Sequence, residues 1–456
     1  MENYVKLKFS ELKGGITVSV KKLICAVLCV ACALCLCGCD LLVFDTEELI
    51  APPQLTGDMR PIEEALRKSA GSDYTLKYPT SGDRRSAVIL EDIDGDATFE
   101  ALAFYSTSDD ELTNMHINII RRKGEEWLSV SDMSLVAAGV EMVDFCDLDN
   151  DGVLEILVGW EIYGSSEKQL AVYSLVGDTL TQRLMQQYTG FLCCDLDDDE
   201  QNEIFIHLIN TTEGTNKATV YNLHEGGIKQ TAGCVMDSAV KTASQPQLSV
   251  LSNGKTAIYI DEIKGVGAVT EVLYLKNGEL VNPLLDTETA YENTKTLRAA
   301  ALSITDINGD GILEIPVASE LPAADGSQEK LYYTNWCSFN GENLTVPLVA
   351  VHNTVDGYYF TLPSALVGKI AITKDVVNHR RIIHSFDAAE SIVGGRIALV
   401  SAIEIETFED KDFDASGLRE IARNDTTVFA GTVNENPAGP SLTFEELCEM
   451  FNLVEE

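Results

Sequence analysis

The sequence predicts a mainly β protein: a β-propeller of four-stranded repeats, followed by a small C-terminal α+β domain. The first observation is an acidic loop that leads into an apolar strand and occurs four times, starting at residues 92, 147, 195 and 306. The second is that four strand-like segments separate the first loop from the next, over a distance of 55 residues (147 minus 92). Four-stranded sheets that recur at such a period are typical of propeller blades.

The loop chemistry is clearest in the copy that runs from Asp147 to Glu155. Carboxylates occupy positions one, three, five and nine of this loop, as Asp147, Asp149, Asp151 and Glu155. Ca²⁺ takes six to eight oxygen ligands, and alternate side chains of a tight loop supply three of them. Gly152 at position six allows the positive φ with which the backbone wraps an ion. These residues are therefore candidate calcium ligands.

Three further copies follow the same pattern and are also candidate calcium sites. They comprise Asp306, Asn308, Asp310 and Glu314; Asp92, Asp94, Asp96 and Glu100; and Asp195, Asp197, Asp199 and Glu203. Position six is Gly311 in the first of them, but Ala97 and Glu200 in the other two. The segment 249–260 has the expected length and strand but lacks the acids, so we interpret it as a degenerate copy without an ion.

The four loops resemble those of FG-GAP and VCBS repeats, which occur in integrin-alpha-type β-propellers and in many bacterial surface lipoproteins. The resemblance covers about residues 84–350 and implies that each loop lies at the start of a blade and holds Ca²⁺. Propellers of this family usually have seven blades, whereas five copies are visible here, so the number of blades stays open. The alternative to metal binding is a set of solvated acidic turns.

An EF-hand is excluded as the source of these loops. Its twelfth position carries a bidentate Glu and its loop lies between amphipathic helices. Position twelve of the clearest copy is Val158, and a strand follows.

The N-terminus has the pattern of an export signal. Five lysines precede an uninterrupted apolar run over 23–39. The sequence Leu36-Cys-Gly-Cys39 resembles a bacterial lipobox, which implies a signal peptide over 1–38, lipidation of Cys39 and a tether over 39–60. The alternative is an uncleaved transmembrane anchor. Either arrangement places the remaining chain on the extracytoplasmic side of the cell membrane.

The segments flanking the repeats have their own patterns. Residues 61–83 should begin with a lead-in helix, since Pro61 suits a first turn. Residues 351–456 lack acidic loops and contain five strand-like segments. A capping-box spacing between Thr443 and Glu446 predicts a terminal helix over 444–453. We interpret 351–456 as a small α+β domain, with divergent blades as the alternative.

Cysteine usage argues against zinc. Six of the twelve cysteines lie within residues 25–39, and the others show no metal-ligand spacing. Cys146 and Cys194 directly precede loop aspartates, and buried strand positions are favoured over disulfides for both.

Composition and motifs limit the classes of function. A net charge of −39 argues against nucleic acid as a partner and suits the attraction of divalent cations. No nucleophile elbow, phosphate loop or paired histidine spacing occurs, so we predict no catalytic residues and no enzymatic activity. The predicted function is a lipid-anchored calcium-binding scaffold that mediates protein or glycan interaction. The alternatives are a calcium-dependent carbohydrate- or lipid-active enzyme and a structural role in envelope assembly.

Overall fold

A computed structural model describes residues 59–107, 114–210, 215–224, 227–286, 288, 291–299, 302–322, 331–410, 417–434 and 439–454. The described residues from Glu64 onward belong to one compact unit. The predicted signal peptide, Cys39 and nearly all of the tether lie outside the described residues. Within the described part of the chain, no helix has the length and apolar character needed to cross a membrane.

This unit is mainly β, as predicted, and its described residues form six antiparallel sheets that follow chain order except for the last strand, which returns to sheet 5. The strands of sheets 1 to 3 are β1 Tyr74–Leu76, β2 Val88–Glu91, β3 Glu100–Thr107, β4 Asn114–Lys123 and β5 Glu126–Val136 in sheet 1; β6 Gly139–Cys146, β7 Glu155–Glu161, β8 Lys168–Val176 and β9 Thr179–Tyr188 in sheet 2; β10 Gly190–Cys194, β11 Glu203–Leu208, β12 Lys217–His224 and β13 Gly227–Val235 in sheet 3.

Sheets 4 to 6 complete the series. Their strands are β14 Thr242–Ala243, β15 Gln247–Val250, β16 Thr256–Lys264, β17 Gly267–Lys276, β18 Glu279–Val281 and β19 Arg298–Ala299 in sheet 4; β20 Ile315–Leu321, β21 Leu331–Phe339, β22 Leu344–Asn353, β23 Tyr358–Thr361 and β29 Phe451–Leu453 in sheet 5; β24 Ile370–Asp375, β25 Arg380–Asp387, β26 Ile392–Glu404, β27 Arg419–Arg423 and β28 Thr427–Val433 in sheet 6.

Three helices accompany the sheets in the described part of the chain: α1 Arg60–Ala70, α2 Ile405–Phe408 and α3 Phe444–Met450. Helix α1 confirms the predicted lead-in helix. Helix α3 begins at the predicted capping box, in which the Thr443 hydroxyl accepts from the Glu446 backbone N–H. It ends three residues earlier than predicted, because residues 451–453 form a strand.

Consecutive sheets pack face to face through apolar clusters. Sheets 1 and 2 share Phe104 and Trp160, and sheets 2 and 3 share Leu157 and Ile204. The remaining interfaces follow the same order, through Phe205 with Ile258, Tyr259 with Phe339, and Tyr333 with Phe429. No apolar cluster found among the described residues joins sheet 6 to sheet 1.

The strand β11 shows how one short segment serves two interfaces. Ile204 and Ile206 pack toward sheet 2, whereas Phe205 packs toward sheet 4. Successive side chains of a strand point to opposite faces, so a strand buried on both faces is a continuous apolar run. This is why the loops are followed by such runs in the sequence.

The predicted boundary between residues 350 and 351 is corrected. It falls inside β22 of sheet 5, and β29 returns to the same sheet, where Tyr358 lies opposite Leu453. Residues 362–433 supply sheet 6, so a further sheet of the same series describes this region better than a separate α+β domain. The sequence misled because the acidic loop, which marks sheets 1, 2, 3 and 5, is absent from sheet 6.

A disulfide joins Cys146 of sheet 2 to Cys193 of sheet 3. The interpretation of Cys146 as an unpaired buried residue was therefore wrong, whereas Cys194 is free and buried as expected. Cys193 and Cys194 differ because successive side chains of a strand point to opposite faces of the sheet. Cys193 faces sheet 2, and Cys194 faces sheet 4.

Candidate metal sites

The four acidic loops occupy equivalent places in the fold. The loop of Asp92 joins β2 to β3, that of Asp147 joins β6 to β7, and that of Asp195 joins β10 to β11. The loop of Asp306 precedes β20 and is closed by a bridge between Thr305 and Glu314. The degenerate copy at residues 249–260 lies at the equivalent position in sheet 4, since its turn joins β15 to β16.

The loops share one backbone conformation. Positions four and six have positive φ in all four, including Asp198 at 64°, Ala97 at 67° and Glu200 at 69°. A residue with a Cβ is strained there, so the absence of Gly at position six weakens the sequence motif without changing the turn.

The aspartates at positions one and five of each loop stabilise this conformation, because their carboxylates accept hydrogen bonds from backbone N–H groups. Oδ2 of Asp147 accepts from Gly152 at 3.0 Å, and Oδ1 of Asp151 accepts from Val153 at 2.8 Å. The same pair of bonds recurs in the other three loops, at 2.8 to 2.9 Å. The aspartates at these two positions thus stabilise the turn, and the same hydrogen bonds orient their remaining oxygens.

Three of the loops bring oxygens together as an ion requires. One oxygen from each of the three aspartates lies within 4.8 Å of the others in the loops starting at Asp92, Asp147 and Asp195. Oδ1 of Asp92, Asp94 and Asp147 is buried, and none of these atoms has a hydrogen-bond partner among the described residues. Unpaired buried oxygens cost free energy unless a cation or donor satisfies them, so this donor set fits Ca²⁺.

The electrostatics of the loops agree with this fit. Partial burial, followed by the charges of Asp151 and Asp147, raises the pKa of Asp149. Partial burial and the charges of Asp199 and Asp195 raise the pKa of Asp197 in the same way. A divalent cation at the centre would relieve this repulsion.

The glutamates at position nine do not belong to these groups. Glu100, Glu155, Glu203 and Glu314 are buried, and each accepts the backbone N–H of position two, at 2.8 to 3.2 Å. The other oxygen of Glu155 accepts from Ser174 at 3.0 Å. Each glutamate therefore ties its loop to the strand that follows.

The loop of Asp306 differs from the others, although its sequence matched well. The Asn308 amide donates to Glu314 at 3.2 Å, and its Oδ1 accepts from the Asp310 backbone at 2.9 Å. Backbone donors, led by Gly311, lower the pKa of Asp306. The side-chain oxygens of this loop are satisfied largely by backbone N–H groups of the same loop.

Arg121 is a cation that the sequence did not place in a site. Its guanidinium contacts Asp94 directly and lies 3.3 Å from Glu100, so it partly neutralises the first loop. Arg121 lies at the end of β4, and only the pairing of β3 with β4 brings it to the loop. No signal in the sequence relates it to Asp94.

Neighbouring loops contact one another in chain order. The Leu154 N–H donates to the Ile93 carbonyl at 2.7 Å, and the Asn202 amide donates to the Asp147 carbonyl at 2.9 Å. The series continues with the Thr256 hydroxyl, which donates to Asp198 Oδ1 at 2.7 Å. The candidate sites thus form a row along one end of the sheets.

The comparisons with known proteins concern the fold. No protein-family profile matches the chain, and no curated protein matches it. Similar solved structures include the exotype rhamnogalacturonan lyase YesX, with 11% identity over 71% of this chain and 83% of that chain and a TM-score of 0.30. A Bacillus licheniformis rhamnogalacturonan lyase shares 11% identity over 79% and 91%, with a TM-score of 0.30. The Pseudomonas aeruginosa periplasmic gluconolactonase PpgL shares 13% identity over 72% and 89%, with a TM-score of 0.27.

These structures overturn one prediction. All three are enzymes, so the prediction that the chain has no enzymatic activity is withdrawn. At such identities and TM-scores, their reactions and substrates are not transferred to this chain.

Proposed function

We propose that the chain is an exported, lipid-anchored protein of FG-GAP and VCBS type, with blade-like sheets stabilised by Ca²⁺ and a protein or glycan ligand at the cell surface. The proposal is carried by the three groups of converging aspartate oxygens, two of which contain buried oxygens without a hydrogen-bond partner among the described residues. The residues that would hold the ion are Asp92, Asp94 and Asp96; Asp147, Asp149 and Asp151; and Asp195, Asp197 and Asp199.

Calcium would act on stability. The metal-free loops crowd like charges together, and an ion that binds only the folded state stabilises it by mass action. Extracellular modules of this kind bind Ca²⁺ with dissociation constants on the order of 10⁻⁴ to 10⁻³ M.

Calorimetry with Ca²⁺ and thermal melts in Ca²⁺ and in chelator test this proposal. We expect saturable binding of two or three ions and a higher melting temperature with Ca²⁺. Asp149→Asn should remove one ion, whereas the matched change Asp425→Asn, at an exposed turn outside the loops, should remove none. No binding and unchanged melts would contradict the metal assignment.

The lipid anchor has a separate test. The pattern Leu36 to Cys39 supports it. Cys39→Ser should abolish incorporation of labelled fatty acid and release the chain from the membrane fraction. Labelling that persists in this variant would contradict lipidation at Cys39.

A further inference from the structure

A large cleft opens beside sheet 5, at the side where the Asp306 loop approaches it. Its volume is about 1250 Å³, and its lining includes Asp306, Trp336, His352, Thr354, Tyr359 and Asn452. Ordinary small-molecule sites measure roughly 300 to 1,000 Å³. The cleft therefore has room for an oligomeric ligand.

Two aromatic rings, His352 and Tyr359, form a platform in this cleft, and the Trp336 ring stands beside them at an angle of 57° to His352. Tyr359 lies directly opposite His352 across β22 and β23, and the two rings stack with centroids 5.0 Å apart. The Trp336 ring lies 5.7 Å from His352. Burial lowers the pKa of His352 to about 4, so this ring is neutral at neutral pH and the platform carries no charge.

The platform also offers unused hydrogen-bonding atoms. Trp336 is 2% exposed, and its Nε1–H has no acceptor among the described residues. Nε2 of His352 is likewise buried and without a partner in the described part of the chain. Buried indole N–H groups normally find a partner, so an unpaired one that lines a cleft points to a ligand acceptor.

We propose that this cleft binds an uncharged oligosaccharide, with one sugar ring packed against the His352 and Tyr359 rings and one sugar hydroxyl at Trp336 Nε1. A pyranose presents a flat face of C–H groups to aromatic rings and a rim of hydroxyls to polar atoms. Trp336 Nε1–H donates to such a hydroxyl, and the exposed Thr354 side chain lies at the wall. The net charge of −39 disfavours a polyanionic chain. This inference deepens the proposed function, because it names the class and place of its ligand.

The test uses the full chain in detergent with tetra- to hexasaccharides of cellulose, xylan, mannan and galactan. Of the three tryptophans, only Trp336 lines the cleft, so a bound sugar should change its fluorescence. We expect one panel member to bind and Tyr359→Ala to weaken it at least tenfold. Trp336→Phe keeps an aromatic ring but removes the N–H, and should weaken binding severalfold and abolish the fluorescence change.

Tyr163→Ala is the matched control, since this tyrosine is 71% exposed on a turn of sheet 2. It should bind like the wild type. Absence of binding by every oligosaccharide, equal binding by Tyr359→Ala, or capture of peptides in place of sugars would overturn the inference. The calcium melts do not depend on this cleft, so failure here leaves the metal assignment standing.

Discussion

Single charged side chains decide how the candidate metal sites differ from one another. Arg121 supplies a positive charge to the first loop. Among the described residues, no cationic side chain lies within ion-pair distance of the aspartates in the loops of Asp147 and Asp195. A resident cation competes with a bound one for the same carboxylates. The first loop should therefore bind Ca²⁺ more weakly than the other two.

Arg121→Gln tests this competition. Removing the guanidinium frees Asp94, so Ca²⁺ affinity of the first loop should rise about tenfold, which corresponds to about 1.4 kcal/mol. Without Ca²⁺ the variant should be less stable, because Glu100 loses its cation. Calorimetry measures both, and Arg122→Gln, an exposed neighbour on the same strand, is the control. Unchanged affinity in Arg121→Gln would contradict the competition.

A second residue-scale feature is a pair of buried acids on sheet 4. Burial, followed by the Glu271 charge, raises the pKa of Glu262, and burial raises the pKa of Glu271 to about 7. Asp237 and Asp261 add to the repulsion at Glu262. A raised folded-state pKa contributes stability that is full below about pH 4.5 and is lost as the pH rises through about 7.

Glu262→Gln should reduce this loss. Between pH 5 and pH 8 the wild type should lose more unfolding free energy than the variant, because burial and the Glu271 charge raise the folded-state pKa of Glu262. Urea denaturation at constant Ca²⁺ measures the difference, with the exposed Glu279→Gln on the same sheet as the control. Parallel pH profiles for wild type and Glu262→Gln would count against a coupled pair.

At the scale of the element, the position-nine glutamates separate loop closure from ion binding. Glu155→Ala leaves the buried Leu148 N–H and the Ser174 hydroxyl without their acceptor. Each loss costs about 1 to 3 kcal/mol. We therefore expect a large loss of stability even in chelator, measured by urea denaturation.

Two further variants distinguish loss of loop closure from loss of ion binding. Asp149→Asn should lose stability mainly when Ca²⁺ is present, and the exposed Glu125→Ala should lose little in either condition. Wild-type stability of Glu155→Ala in chelator would show that the glutamate does not close the loop.

Sequence patterns predicted elements well where local chemistry determines them. The alternate residues Met115, Ile117 and Ile119 pack against sheet 2, as the two-residue period of a strand requires, and the predicted capping box fixed the start of α3. The conformations of Ala97 and Glu200 were harder to foresee, because backbone hydrogen bonds to Asp92 and Asp195 stabilise a left-handed turn that their residue types disfavour. Residues brought together by the register of paired strands, such as Trp336, His352 and Tyr359 on the consecutive strands β21 to β23, carry no signal in the sequence pattern.

At the scale of the molecule, the disulfide joins two sheets that also share an apolar interface. Cys146 and Cys193 are separated by 47 residues. A loop of that length corresponds to about 4 kcal/mol of stabilisation in the chain-entropy account. The double change Cys146→Ser and Cys193→Ser should lower the unfolding free energy by up to about this amount.

Reductant provides the companion measurement. It should destabilise the wild type but leave the double variant unchanged, and Cys448→Ser should behave like the wild type because Cys448 is free. A wild type that melts identically with and without reductant would contradict the bridge.

The packing of each sheet against the next has a consequence for how the protein opens. In an array held by nearest-neighbour contacts, stability is approximately a sum over adjacent interfaces, and opening begins where a unit has fewest neighbours. Sheets 3 and 4 lie within the series, whereas sheets 1 and 6 stand at its ends among the described residues. Amide hydrogens should therefore exchange fastest in the terminal sheets, and transient opening should spread inward from the two ends while the middle of the chain stays folded.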